Sequence, residues 1–360
     1  MSTFSVTCHR IAVEPHPNAD RLELAGIGGY RAIVLKDQFK TGDLVAYIPE
    51  ASLVPAELIE QMGLTGRLAG PAHNRVKAIR LRGVTSQGLC LAAKPEWVEG
   101  QDVTGELGVV KYEPPVPSGM KGHGIGRTDL ALRYDIENIK AMPDVLQEGE
   151  KVIVTEKIHG TFCAFIWDGE TWLAGSKGLL AKGVVFDNVP ENDGNIYIQA
   201  LRKVLDTLSS LQLWLGNSTT KEPLTVWVLG ELFGPGVQDL QYGQLQRKFR
   251  LFDMAYRPLA SRNNADLHWA ESATLTALEM FSIERVPVLY EGPYNCDMLK
   301  VLTDGWETVS GKTANVREGV VVRAVPDRFI ARGLPCEGRV QLKSVSDDYL
   351  FRSGEQPEFA

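Results

Sequence analysis

The stretch VIVTEKIHGTFCAFIWDG, Val152 to Gly169, sets Lys157 just ahead of the pair His159-Gly160, between two apolar runs of β character. Glycine lets a ligand approach the main chain closely, and a partly desolvated lysine amine loses its proton readily enough to attack an electrophile. A lone lysine at a strand end is ordinarily a solvated turn residue, so K-x-H-G decides little alone. The residues that follow it in order decide more. GSKG carries Lys177; VWVLGELFG ends on Glu231 and Phe233 at a glycine-flanked turn; FRLFDM offers Phe252 and Asp253; REGVVVR opens on Glu318; RVQLKSV carries Lys343. Most of these are charged or aromatic residues at the edge of an apolar run. A nucleotide site needs that inventory: a ring to stack on the base, carboxylates for ribose hydroxyls and metal-bound water, and cations for phosphates.

The ordered set resembles the covalent nucleotidyltransferase superfamily of ligases and capping enzymes, with EKIHG, GSKG, LGELFG, RLFDM, REGVVVR and VQLKSV as its signature motifs from Glu156 to about Tyr349. EKIHGT is similar to RNA ligases in particular, since DNA ligases and capping enzymes usually carry Asp where His159 stands. The arrangement most resembles ATP-dependent RNA ligases of the Deinococcus type, which place an OB domain before the ligase domain. VEPHPNADRLELA, GDLVAYIPE and RVKAIRLRGVTSQGLCL look like that module. DNA ligases and capping enzymes carry theirs after the last motif, where only about ten residues remain in this sequence.

The resemblance implies a three-step reaction with ATP and Mg²⁺ or Mn²⁺. Lys157 attacks the α-phosphate and becomes a lysyl-AMP, the AMP passes to an RNA 5′-phosphate, and a 3′-hydroxyl then expels it, sealing a break, with nicks in a duplex as the expected substrate. Matched position by position, the resemblance makes Lys157, His159, Glu231, Glu318 and Lys343 the catalytic set. Glu156, Lys157, Gly160, Lys177, Glu231, Phe252, Glu318 and Lys343 form the nucleotide site. Glu156 is expected near the adenine edge, Phe252 on the adenine face, Lys343 at the α-phosphate, Lys177 at the nucleotide or the RNA end, Glu231 at the ribose or at water on the metal, and Glu318 in the metal's water shell. Two positions depart from the pattern. His159 cannot act as the metal-side carboxylate of K-x-D-G relatives; phosphate and the RNA strand are candidate contacts for it, and its role stays open. Val345 stands where many relatives have a second lysine, leaving Lys343 alone or aided by Arg339 or Arg323.

These side chains need a scaffold. From Phe4 to about Val110 the chain alternates short β-like runs with turn residues and one helical piece, PAELIEQMGL, which suits a small OB-type barrel. Its basic run Arg75, Lys77, Arg80 and Arg82 is a candidate RNA-backbone contact. Lys111 to Asp129 holds three prolines and four glycines and reads as a linker, G-H-G-I-G included. From Leu130 strands outnumber helices, with helical patterns at NIYIQALRKVLDTLSSLQLWL and ADLHWAESATLTALEMF, which favours an α+β domain on antiparallel sheets over a doubly wound one. The expected division is therefore 1–115 (OB domain, an RNA clamp), 116–129 (linker) and 130–360 (nucleotidyltransferase, or adenylation, domain). Gly311 to Thr313 reads as a loop, because Trp306 stands where a phosphate-binding loop needs glycine.

A net charge of -7 argues against a surface that is basic throughout, so RNA contacts must be local. Five scattered cysteines without a C-x-x-C pair fit neither a disulfide framework nor a zinc site and point to a reducing cytoplasm. No apolar run approaches the roughly 20 residues that span a bilayer, and nothing calls for an obligate protein partner. The rival readings are an RNA- or tRNA-binding protein whose second domain binds ATP without ligating, and a ligase for another polynucleotide.

Overall fold

A computed structural model describes residues 4–113, 118–218, 222–262, 264–330 and 334–352. The chain divides into two compact units, one of Met1–Pro114 with Glu137–Val145, the other of Pro115–Ile136 with Leu146–Ala360.

In the first unit, Thr7–Arg10 pairs with Leu44–Ile48, which pairs with Leu89–Ala92; Ala12–Pro15 pairs with Leu22–Ile27, which pairs with Tyr30–Leu35. Ile11 separates the first strand's two halves, so one run of chain serves both antiparallel sheets. Gln87 N–H donates to Arg31 O at 2.8 Å and Ile33 N–H to Ser86 Oγ at 2.9 Å, linking the sheets around cores that include Ile48, Val76 and Trp97 on one side and Ala25, Val34 and Tyr47 on the other. The expected helical piece is Ala56–Gln61. RVKAIRLRG is not one strand: Arg75 makes single bridges to Leu53 and Ala69, and Ile79–Leu81 pairs separately in a hairpin with Val84–Ser86. Arg82 and Gly83 make its turn, both with positive φ, as a two-residue hairpin turn requires.

The second unit is built on two antiparallel sheets. The larger runs in the order Gly124–Gly126, Val184–Phe186, Trp172–Ser176, Thr161–Trp167, Leu224–Phe233, Lys248–Pro258, His268–Trp269. Leu224–Phe233 is buried along almost its whole length because both faces of its sheet are covered. Phe165, Val228, Leu232 and Met254 join a core with the helix Ile196–Ser218, while Ala164, Ile166, Trp227 and Leu229 join a second core with Leu130, Tyr134 and Trp269 on the opposite face. In the other sheet, the unit's own strands run Gln341–Val345, Gly319–Ala324, Lys151–Lys157, Val288–Pro293.

Two expectations change here. The Pro/Gly-rich stretch expected as a linker, 116–129, is largely structured: Gly124–Gly126 is an edge strand of the larger sheet, and the stretch belongs to the second unit, while 116 and 117 lie outside the described residues. ADLHWAESATLTALEMF is not a single helix. His268 and Trp269 pair with Tyr256 and Ala255, and burying Trp269 against the second core breaks the pattern before the short helix Ser272–Ala277 begins. Among the described residues no helix is long and apolar enough to cross a membrane.

Candidate active site

Lys157 ends its strand opposite Gly319, and the register fixes which side chains share its face. Thr155 pairs with Val321 and Val321 with Lys343; Lys157 pairs with Gly319 and Gly319 with Val345. Paired residues in antiparallel strands point the same way, so Lys343 stands on the Lys157 face, one pair further along, and Val345 occupies the adjacent place. Gly319 has φ 151°, and a Cβ there would collide with the Ser344 carbonyl oxygen. Glycine at this point lets the chain carry Glu318 round to the lysine, where Lys157 Nζ donates to Glu318 Oε1 at 2.5 Å.

Glu231 approaches from the larger sheet, on the face it shares with Phe162 and Arg250. Burial pushes its carboxyl up to about 8, with Glu318 adding to the rise and Lys157 and Lys177 opposing it. Burial draws the Lys157 ammonium down, but Glu318 and Glu231 outweigh it and the net direction is up. Lys177, at the start of the short helix Lys177–Leu180, also donates to Asp135 at 2.8 Å. Gly160 fits because a Cβ there would strike the Leu232 carbonyl oxygen and lie 2.9 Å from Glu231 Cγ. Phe252 is the extra residue of a β-bulge, since Leu229 pairs with Asp253 but Gly230 with Leu251. Its half-buried ring stacks on Tyr134 at 5.2 Å and lies 5.9 Å from Phe162.

Several expected residues do not converge on this site. Glu156 alternates with Lys157 and points to the opposite face, where Oε2 accepts from Thr308 N–H at 2.8 Å and Thr308 Oγ at 2.6 Å, with Arg317 3.8 Å away. Its side chain therefore does not sit with Lys157. Arg339 cannot replace the missing lysine, because it is fully buried and bonded to Asp253 (2.6 Å) and Asp327 (2.7 Å); Arg323 faces the same two carboxylates. In the first unit Arg75 is buried, with its guanidinium 4.4 Å above the Tyr112 ring, which removes it as an open RNA contact. Lys77 is half-buried, and Arg80 and Arg82 are exposed. Gly311 to Thr313 lie in a turn organised by Glu307, which accepts from Ser310 and Ala314 N–H groups.

His159, whose role the sequence leaves open, is held from both ring nitrogens. Its Nε2 lies 2.7 Å from Asp239 Oδ1 and its Nδ1 2.7 Å from the Tyr349 hydroxyl. A carboxylate only accepts, so Nε2 carries the hydrogen and Nδ1 accepts from Tyr349. Burial pulls the imidazole down, against the pull of Glu318 and Asp239, so it is neutral at pH 7. Both ring nitrogens are thus engaged within the protein rather than turned to phosphate or RNA. The loop after Phe233 also holds the main chain: His159 N–H donates to the Tyr242 hydroxyl at 2.6 Å, and Gln238 Nε2 donates to Gly160 O. Arg352 closes the outside, pairing with Asp239 at 3.0 Å and lying 4.0 Å above the Tyr349 ring. Sequence reasoning missed Gln238, Asp239, Tyr242, Tyr349 and Arg352. The only signal was the turn-rich GPGVQDLQYG that follows LGELF.

The donor set suits a hard divalent ion. Glu318 Oε2 is buried without a hydrogen-bond partner and Glu231 is crowded by a second carboxyl group, yet no cluster of three ligating residues occurs among the described residues. Two carboxylates without a closed cage match an ion that keeps water and takes phosphate oxygens.

A family model of RNA ligases matches residues 150–345, more than half of the 360-residue chain. The chain belongs to the RNA ligase family. A model of an OB-fold domain matches residues 5–93 of this ligase-family chain, in agreement with the α+β reading of an OB barrel followed by an antiparallel-sheet ligase domain. Solved structures of Naegleria gruberi RNA ligase share the fold. One, a mutant with ATP and Mn, matches at TM-score 0.76 and 20% identity over 96% of this chain and 98% of its own. Another, with PPi, matches at TM-score 0.74 and 21% identity over 96% and 97%. No curated protein matches the sequence.

Proposed function

We propose that this protein is an ATP-dependent RNA ligase that joins 3′-hydroxyl and 5′-phosphate RNA ends, with a nicked duplex as substrate, in the manner of the Deinococcus type. The observation that carries the proposal is Lys157 Nζ at 2.5 Å from Glu318, beside Glu231, in a domain of the RNA ligase family.

Lys157 is the nucleophile: its ammonium first gives a proton to Glu318, the neutral nitrogen then bonds the α-phosphorus of ATP as the bond to the pyrophosphate oxygen breaks, and the second proton leaves the new phosphoramidate nitrogen for water. Glu231 and Glu318 would hold the divalent ion, which supplies charge neutralisation that leaves burial as the dominant influence on the amine and lowers its proton affinity. Lys343 on the same sheet face contacts the α-phosphate, and Lys177 a neighbouring phosphate. Phe252 stacks on adenine. Glu156 leaves this set because its side chain is held by Thr308 on the other face. His159 positions the turn after the lysine. The AMP then moves to the RNA 5′-phosphate, and the 3′-hydroxyl displaces it. The first unit acts as an RNA clamp through exposed residues such as Arg80 and Arg82. Five free cysteines fit a reducing cytoplasm.

The test is incubation with ATP labelled at the α-phosphate and Mg²⁺ or Mn²⁺, followed by a denaturing gel. Wild-type protein should carry label and Lys157→Ala none. Folded, AMP-free wild-type protein that stays unlabelled would remove the ligase reading.

A further inference from the structure

Across the larger sheet from the nucleotide site lies a cavity of about 250 Å³ between the sheet and the helix Ile196–Ser218. Its floor includes Phe165, Leu232 and Phe249, and the two phenylalanine rings meet at 4.6 Å. Its rim carries Lys203 and Arg247. Among the described residues neither of these two cations has a hydrogen-bond or ion-pair partner. The one acidic lining residue, Glu284, is engaged by Arg250 at 2.9 Å. An uncompensated cationic rim stands out in a chain of net charge -7.

The cavity lies at the same end of the sheet as the candidate active site. Leu232 follows Glu231 and pairs with Phe249, and Phe233 pairs with Lys248. The Leu232 carbonyl also lies against Gly160. Alternation turns Glu231 toward Lys157 and Leu232 into the cavity.

We propose that this cavity is an RNA-strand site: a base of a nucleotide near the break stacks on Phe249 while Lys203 and Arg247 take the adjoining phosphates. An aromatic floor with a cationic rim is the chemistry that holds single-stranded nucleic acid without sequence preference. The inference rests on RNA ligation as the activity and adds the substrate contact that the buried Arg75 does not supply. Since none of the cavity's side chains faces Lys157, adenylylation does not require them.

The test compares full-length wild type, a Lys203→Glu/Arg247→Glu variant and Phe249→Leu, which keeps an apolar side chain but loses the ring. Binding of a fluorescein-labelled nicked RNA duplex is followed by anisotropy over a range of salt, beside lysyl-AMP formation and sealing. The double variant should bind at least tenfold more weakly, with a log–log salt slope shallower by about 2 because each phosphate contact contributes about 0.9. Phe249→Leu should bind about fivefold or more weakly with an unchanged slope. Both should form lysyl-AMP at the wild-type rate. An unchanged slope in the double variant, or wild-type binding by Phe249→Leu, would overturn the site even where the wild type proves to be a ligase. Failure of wild type to form lysyl-AMP would instead strike the ligase reading.

Discussion

Glu231→Gln tests the electrostatics of the candidate site without ATP or RNA. The Glu231 carboxyl is pushed from 4.5 up to about 8, chiefly by burial and then by Glu318. Between those two pH values the unfolded chain has already released this proton while the folded chain keeps it. The folded state therefore binds more protons, and stability falls as pH rises through that window. At 1.36 kcal/mol per pH unit the full gap is about 5 kcal/mol. Relaxation, water and the coupled Lys157 charge reduce it, and ~1–3 kcal/mol is the working figure at effective protein dielectrics. Glutamine is nearly the same shape and cannot ionise, so the variant escapes this loss. With about 2–4 °C per kcal/mol for a domain of this size, Glu231→Gln should melt roughly 3–10 °C above wild type at pH 9, with little difference at pH 5. Melts are measured in EDTA. Adding Mg²⁺ at pH 9 should narrow the gap, because only the wild type gains a second carboxylate for the ion. A variant less stable than wild type at pH 9, or a difference independent of pH, would refute the reasoning.

Tyr349→Phe leaves His159 Nδ1 buried without its donor, a loss of about 1–3 kcal/mol. It should slow lysyl-AMP formation about tenfold in rapid-quench measurements, with little change in the ATP concentration for half-maximal rate. In a His159→Ala background the same change should have no further effect, and additive losses would show that the hydroxyl acts elsewhere. Gly319→Ala forces a side chain against Ser344 O and shifts Glu318. It should lower thermal stability by several degrees and slow label transfer more than tenfold, whereas wild-type labelling would show that Gly319 does not aim Glu318.

Much of the candidate site's inventory can be read from the chain because its elements are local. Lys157, Glu231, Glu318 and Lys343 each sit at or near the end of an apolar run, and a strand end that must be polar within a buried sheet announces itself in a short window. The same holds for the glycines, whose demands come from backbone geometry at one residue. The α+β class followed from strands that outnumber helices.

Register, bulge and long-range pairing had to come from the tertiary structure. The registers of Lys151–Lys157 on Gly319–Ala324 and of Gly319–Ala324 on Gln341–Val345 decide that Lys343 shares the face of Lys157. The partners of His159 come from Asp239 and Tyr349, which lie 80 and 190 residues away in sequence. No local pattern encodes such a meeting, because it depends on how two sheets pack. Arg75 and Arg339 look like free cations in sequence, and only the fold reveals that one is buried against Tyr112 and the other against Asp253. The sequence alone thus determined which residue types stand at the strand ends and which chemistry they can perform. The packing of the two sheets decided which of them meet, because a side chain's partners are set by what the rest of the chain brings against its face.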